Sequence, residues 1–524
     1  MDASRYGVPP LDPALARSKV HHRLRLTRQE KVQLCLALFA YIIACLGLLL
    51  LLVALFAPDR FPASRDEFQS SRVTPGSDRA SSTTLKPLSS LWAPYSPYHP
   101  AGKYEAPIRE GCVLSQVNIL QRHGARYPTS GAAKLILKAL KKLQAATTYH
   151  DPNLHFLKNY TYDLGVNDLV QFGADQSHAL GKETFKRYRE FIAESGDAPF
   201  VRAAGSPRVV FSAQNWTLGF TKASKQTFPA KVDLVISEQS NNTLANKMCP
   251  AGANLRRESQ AFIDIAVESV AARLNSVAPG ANLVPQDVYA IMHLCPFETV
   301  AKEELSPFCS VFSRSDFKLY EYAWDLEKFY YSGYGGPLGA VQGVGYINEL
   351  IGRLTNSPPL HGLQTNKTLL SSPKTFPLNR AMYVDFSHDN LMVAVFTAMG
   401  LFKQTNGPLD TTKITEDRTW IISKMVPFSG RMTVERLSCP RPLVPSISRS
   451  MRWWNWMTVD GVADYYSEQM EDYVRVFVND ARQRLEFCGA GEDGMCKLDE
   501  FVKSQRYARN DGVRDFEKCN HTGW

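Results

Sequence analysis

Apolar residues along this chain fall in two rhythms. Short runs, VLSQVNIL (113–120), PRVVFSA (207–213), VDLVIS (232–237), DVYAIMHLC (287–295), AMYVDFS (381–387) and VRVFVND (474–480), have the length and composition of buried strands. Longer mixed stretches lie between them. SGAAKLILKALKKLQ (130–144) sets Leu135, Leu137, Leu140 and Leu143 among lysines, and ESQAFIDIAVESVAARLN (258–275) and GVGYINELIGRLT (343–355) also read as helices. Strands separated by helices predict an α/β sheet. The helical stretches around 130–200 and 255–370 predict a helical lobe interrupting it. No internal repeat is present.

The amino-terminal part follows another pattern. Residues 33–57, QLCLALFAYIIACLGLLLLLVALFA, carry no charge and are long enough to cross a bilayer. Residues 1–32 hold seven basic side chains (Arg5, Arg17, Lys19, Arg23, Arg25, Arg28, Lys31) against three acidic ones, which predicts a cytoplasmic tail ahead of a signal-anchor. The rest of the chain would then be luminal or extracellular, or secreted if the apolar segment is a cleaved leader. Residues 58–90 are rich in Ser, Pro, Thr and charge, the composition of a disordered stalk. Residues 91–107 keep proline but gain aromatics, which predicts an extended arm packed on the folded body that fills 91–524.

Composition narrows the function. The 524 residues carry a formal charge of +9, but outside 1–32 only 53 basic residues face 48 acidic ones. A near-balanced body without a long basic run excludes a dedicated nucleic-acid binder. Cys35 and Cys45 lie in the apolar segment, leaving Cys112, Cys249, Cys295, Cys309, Cys439, Cys488, Cys496 and Cys519. An even, scattered set without C-x2-C pairs reads as a disulfide framework and not as a metal site. Sequons at Asn159, Asn215, Asn241, Asn366 and Asn520 also point to the secretory pathway.

Candidate chemistry starts at RHGARYPT (122–129), directly behind the first apolar run. Guanidinium groups suit phosphate oxygens because their donors are planar, always charged and bidentate. A neutral imidazole can attack phosphorus without a base to deprotonate it. Arg122 and Arg126 around His123 therefore suit a phosphate clamp about a nucleophile, with Gly124 giving the backbone room beside the anion. A second strand ends in Ser387-His388-Asp389-Asn390 before an apolar helix, whose N-terminus favours an anion. There His388 would be a further phosphate ligand, and Asp389 the acid that protonates the leaving alcohol. In PFVRAAGSPRVVFSA (199–213), Arg202 and Arg208 bracket a turn ahead of an expected strand, and either could supply a third guanidinium. SGYGGPLGAVQGVGYIN lacks a complete G-x-G-x-x-G and reads as a turn before a helix.

RHGARYPT with FSHDN (386–390) resembles the histidine acid phosphatases, and within them the fungal phytase branch. LCPFETV (294–300), GGPLGAVQGVGYINELIGRLT (335–355), SSPKTFPLNRAMYVDFSHDN (371–390) and FVKSQRYARNDGVRDFEKC (501–519) carry the resemblance in order over residues 90–524. It implies a phosphoglycerate-mutase-like α/β fold, a mixed sheet flanked by helices with a second, mainly helical lobe. It also implies His123 as the phosphohistidine nucleophile, Asp389 as proton donor, and Arg122, Arg126, Arg202 and His388 as phosphate ligands. Arg202 is preferred to Arg208 because it falls where the family has R-x-x-G. Disulfides Cys112–Cys439, Cys249–Cys519, Cys295–Cys309 and Cys488–Cys496 are implied, and neither metal nor cofactor is required.

The expected activity is hydrolysis of phosphomonoesters at acidic pH, with phytate (inositol hexakisphosphate) as substrate and no obligate protein partner. Phytases surround their pocket with lysines because this substrate carries many negative charges. Here Lys134, Lys138 and Lys328 are candidates, while Glu327 stands where the family can have a second lysine. That departure leaves a broad-range acid phosphatase as the alternative. A non-catalytic phospho-ligand-binding surface protein is disfavoured because nucleophile and acid are both kept. A phosphoglycerate-mutase-type role is disfavoured by the apolar segment, sequons and cysteines.

Overall fold

The computed structural model describes residues 88–105, 110–245, 247–254, 257–359, 364–440 and 470–520, all within one contact unit, Ser77–Trp524. The tail, the apolar segment 33–57 and nearly all of the stalk lie outside the described residues. Among the described residues no helix is long and apolar enough to cross a membrane.

Among the described residues eight strands form one mixed sheet. They are β1 (Val113–Arg122), β2 (Phe200–Ala204), β3 (Val232–Ile236), β4 (Met382–Ser387), β5 (Arg431–Pro440), β6 (Met470–Val478), β7 (Ala481–Arg482) and β8 (Cys496–Lys497). Their order is β3-β2-β4-β1-β5-β6-β7, with β8 on β6. The pairs β2–β3, β2–β4 and β1–β4 are parallel, whereas β1–β5 and β5–β6 are antiparallel. Helix-covered parallel strands are buried on both faces, so they read as continuous apolar runs. β4, MYVDFS, is buried throughout.

The helices used below are α1 (Ser130–Gln144), α2 (Gln171–Arg187), α3 (Pro207–Ala223), α4 (Arg257–Ala266), α5 (Glu268–Val277), α6 (Pro285–Met292), α7 (Leu294–Lys302), α8 (Arg314–Tyr331), α9 (Val344–Leu354) and α10 (Asp389–Met399). α3 packs on β2, β3 and β4, and α2 packs on α3. α1 packs on α6, and α4 on α8, which builds the helical side of the molecule. α1 starts behind Thr129, whose hydroxyl accepts from Ala132 N, and it buries Ala133, Ile136, Ala139, Leu140 and Leu143. Leu135 and Leu137 face solvent instead.

Two runs expected as strands are helices. PRVVFSA opens α3: Pro207 sits in the first turn, where its missing N–H costs nothing, and Val209, Ser212, Ala213, Trp216 and Phe220 form a buried stripe at helical spacing. Burying a side chain such as Phe220 is worth about 1.5–3 kcal/mol, which outweighs the weak β preference of Val209 and Val210. DVYAIMHLC spans the end of α6 and the start of α7, again behind a first-turn proline, Pro285.

All four implied disulfides are present: Cys112–Cys439, Cys249–Cys519, Cys295–Cys309 and Cys488–Cys496. The first joins the start of β1 to the end of β5, beside the Val113–Ser438 pair. Such a framework fits an oxidising, secreted or extracellular setting. At the opposite end of β5, Arg431 lies across from Gln121, next to the RHG turn, whereas Pro440 pairs with Met470 far along the hairpin. At the start of the arm Trp92, Ala93 and Tyr95 are buried, and Ala93–Tyr95 form a short 3-10 helix in place of the expected extended segment.

Candidate active site

Parallel pairing brings the functional side chains together. Arg122 closes β1 opposite Ser387, which closes β4, so the next residues, His123 and His388, emerge side by side. His123 N donates to Ser387 O over 3.1 Å, and the two imidazole centroids lie 5.7 Å apart, edge to face. β2 and β3 end at the same edge, where they lead to Arg208 in the first turn of α3 and to Glu238. Ligand sites of open α/β sheets form at this carboxyl edge.

His123 is buried, and its Nδ1 lies 2.8 Å from Gly124 O. That contact assigns the ring proton to Nδ1 and leaves the Nε2 lone pair free to attack. Burial and then the guanidinium groups of Arg122, Arg208 and Arg126 hold the imidazolium well below the usual histidine range, so the ring stays neutral into acid. Ser212 Oγ accepts from Gly124 N over 2.9 Å and fixes the turn to α3.

Gly124 serves packing rather than anion approach. A Cβ there would stand 2.3 Å from Gly173 O, and one on Gly173 would stand 2.2 Å from Ala125 O. Both glycines are needed for the RHG turn to lie against the first turn of α2.

Three guanidinium groups converge on His123. Arg122 is buried, donates Nη1 to Val426 O (2.8 Å) and to Pro94 O, and lies 4.7 Å from the Phe428 ring centroid. Burial lowers its pKa to about 10, so it stays charged in acid and at neutrality. Arg126 donates to Tyr127 O and lies over Tyr95 and Phe297. Arg208 Nη2 is 3.4 Å from His388 Nδ1. Arg122 Nε, Arg126 Nε and Arg208 Nε are buried donors without a hydrogen-bond partner among the described residues, while Arg122 Nη2 lies 3.2 Å from Asp389 Oδ2. Buried unpaired donors are costly, and a tetrahedral oxyanion is the chemistry that satisfies them.

Arg202 is elsewhere. It lies within β2, opposite Asp385 of β4, and its donors are taken by Asp385 (2.7 and 3.2 Å) and Glu349 (2.7 Å). Arg353 completes this buried network at 2.7 Å from Asp385. A side chain inside a strand, clamped by two carboxylates, cannot turn to the strand's end. The third guanidinium at the site is Arg208.

Asp389 opens α10 at 3.2 Å from Arg122 Nη2 and 3.4 Å from Lys328 Nζ, with its side chain 16% exposed. Burial pushes its carboxyl up, but Lys328 first and then Arg122 hold it well below the usual range. Lys328 of α8 is buried, and its ammonium also donates to Asn390 Oδ1 over 2.6 Å. The expected pocket lysine thus belongs to the surroundings of Asp389. Lys134 is exposed on α1, without a hydrogen bond or ion pair to the cluster. Asn390, named in the motif without a role, and Glu238, which the sequence did not single out, complete the site. Asn390 holds Lys328, and Glu238 Oε1 lies 2.6 Å from His388 Nε2.

A mixed sheet with a histidine and three guanidinium groups at its carboxyl edge, faced by a His-Asp pair from a neighbouring strand, defines a histidine phosphatase. The family comparison agrees: residues 113–479 match the histidine phosphatase superfamily (branch 2), and the chain belongs to that family. Phytase A of Arthroderma benhamiae is 37% identical over 448 residues, covering 82% of this chain and 92% of that protein. Phytase A of Aspergillus fumigatus is 36% identical over 446 residues, covering 81% and 89%. Among solved structures, the phytase from D. castellii aligns with a TM-score of 0.64 at 21% identity, covering 83% of this chain and 88% of that one. A Bifidobacterium longum multiple inositol polyphosphate phosphatase, solved with inositol hexasulfate, aligns with a TM-score of 0.57 at 14% identity over 79% and 96%.

Proposed function

We propose that this protein is a phosphomonoesterase that acts through a phosphohistidine and releases phosphate from phytate at acidic pH. The observation that carries the reading is the convergence of a neutral His123 with unsatisfied donors of Arg122, Arg126 and Arg208 beside Asp389. Relatives named Phytase A, similar over about four-fifths of the chain, support the substrate.

In the first step His123 Nε2 attacks phosphorus and the P–O ester bond breaks. The three guanidinium groups and His388 hold the equatorial oxygens, where charge is greatest in the transition state. The leaving oxygen takes a proton from the Asp389 carboxyl. In the second step Asp389, now a carboxylate, accepts a proton from water as that water attacks phosphorus. The P–N bond breaks, releasing inorganic phosphate and neutral His123.

The charge state of Asp389 constrains this scheme. Without an anion beside it, Lys328 and Arg122 keep Asp389 ionised. A bound phosphoryl group neutralises the same cations and raises the Asp389 pKa, so the acid forms only with substrate in place. Because the nucleophile stays neutral well into acid, the acidic limb of activity lies low. The alkaline limb marks loss of the proton shared by substrate and Asp389.

The scarcity of free lysines around the cluster favours one second reading, a broad-range acid phosphatase: Lys134 faces solvent and Lys328 is engaged. Turnover of inositol hexakisphosphate against a simple aryl phosphate on purified protein separates the two. An acid quench during turnover should trap phosphate on histidine in the native enzyme and none in His123→Ala. A phosphoserine, or no adduct, would overturn the covalent scheme.

The proposal extends to location. Residues 33–57 would anchor the protein, with residues 1–32 cytoplasmic and the catalytic domain extracellular or luminal; cleavage of the segment would give a secreted form. Its uncharged length and basic flank support this, and protease protection of a terminal tag in sealed membranes tests it.

A further inference from the structure

One carboxylate in the cluster has no part in the two chemical steps. Glu238, just beyond β3, has its side chain 13% exposed and places Oε1 2.6 Å from His388 Nε2. Its other oxygen, Oε2, lies 2.7 Å from Lys247 Nζ, whose side chain is 61% exposed. The turn that carries it is stapled: Asn242 Nδ2 donates to Ile236 O (2.9 Å), and Leu244 N donates to Asn242 Oδ1 (2.8 Å). Ser387 Oγ donates to Leu244 O over 2.7 Å, which ties this turn to the residue preceding His388.

We propose that Glu238 is the positioning residue for His388: it fixes the ring through Nε2 so that Nδ1 points at the phosphate site, and it supports the doubly protonated imidazole that donates to a phosphoryl oxygen. A neutral His388 with its proton on Nε2 shows the site a bare lone pair. Arg208 Nη2, 3.4 Å from Nδ1, faces that lone pair, which would repel an anion. Once phosphate draws the Arg208 guanidinium to an oxygen, a proton taken from solvent at Nδ1 turns repulsion into a charge-assisted hydrogen bond. Burial opposes the charge this creates and, without an anion, holds the ring below the usual histidine range; Glu238 and Asp389 favour the charge, and Arg208 opposes it. The His123 ring stands edge-on and neutral, while Lys247 offsets part of the Glu238 charge. The same logic orients metal-bound histidines through outer carboxylates, here applied to an anion.

The inference rests on the phosphatase reading but is tested by binding. Calorimetric titration with inorganic phosphate, between about pH 5 and about pH 8 where histidines titrate, should show affinity rising toward acid. Glu238→Gln should weaken phosphate binding about tenfold at the acid end, the worth of one pKa unit, and flatten the pH dependence. For an aryl phosphate its KM should rise more than kcat falls, and Glu238→Asp should restore part of the pH slope. If Glu238→Gln does not fold, Lys247→Ala gives the opposite sign. With Glu238 less offset, the pH dependence should move to higher pH. An unchanged slope in Glu238→Gln, or no shift in Lys247→Ala, would overturn the proposal. A native protein that binds phosphate as described yet turns over no ester would overturn the hydrolase reading alone.

Discussion

Two sets of buried arginines lie around the same parallel strands and do opposite work. At the sheet's carboxyl edge Arg122, Arg126 and Arg208 surround His123 with donors left unpaired. Inside the fold Arg202 of β2 and Arg353 of α9 share Asp385, and Arg202 also pairs with Glu349, with distances near 2.7 Å. Arg202 and Arg208 stand only six positions apart in the chain, so residue type alone does not tell them apart. Position relative to the strand end does. A guanidinium matched by carboxylates has spent its charge on structure, whereas one aimed past the strand end keeps it for a ligand.

The contrast breaks most visibly through Asp385. Asp385→Asn leaves Arg202 and Arg353 buried without their shared charge, and removing one partner of a buried pair costs about 3–5 kcal/mol. The thermal midpoint should fall steeply while kcat per folded molecule holds. Loss of activity without loss of stability would place this network in catalysis. The pairing also sets a pH window. The Arg202 and Arg353 contacts, against the upward push of burial, hold the Asp385 pKa at about 2. Its unfolded value is near 3.8, so its contribution is complete above that value and is lost as pH falls through about 2.

Arg208→Ala should show the reverse, a KM for aryl phosphates raised about 10- to 100-fold from loss of a charge-assisted contact and a thermal midpoint near that of the native protein. Equal effects of Arg202→Ala and Arg208→Ala on KM would erase the distinction. Smallest is Lys328→Met. Lys328 lowers the Asp389 pKa, so its removal raises it and keeps the acid protonated to higher pH. The alkaline limb of the rate profile should move up by about one pH unit, and a limb that stays put would separate Lys328 from the proton donor.

Much of this was legible in the sequence. The strand–RHG and strand–SHDN junctions state in one dimension what parallel pairing then does in three, bringing His123 beside His388. The four disulfides followed the family resemblance pair by pair. What misled was local. PRVVFSA carries the β-branched residues of a strand, and only the window out to Phe220 exposes its helical stripe. That misreading left Arg208 level with Arg202, and the family R-x-x-G spacing then favoured Arg202; an arginine in the first turn of a helix behind a strand end lies at a carboxyl edge, and one inside a strand does not. Glu238 was invisible for another reason. A single glutamate after a strand gives no signal until the neighbouring strand shows which histidine it faces.

The antiparallel hairpin of β5 and β6 has a practical consequence. Arg431 lies beside the RHG turn, and β5 runs from there to Pro440, where the strand pairs with Met470. Pro440 and Met470 therefore lie at the end of this strand pair away from the chemistry. Fluorophores or affinity handles attached at Pro440 or Met470, both exposed, would ride on the enzyme without crowding its substrate.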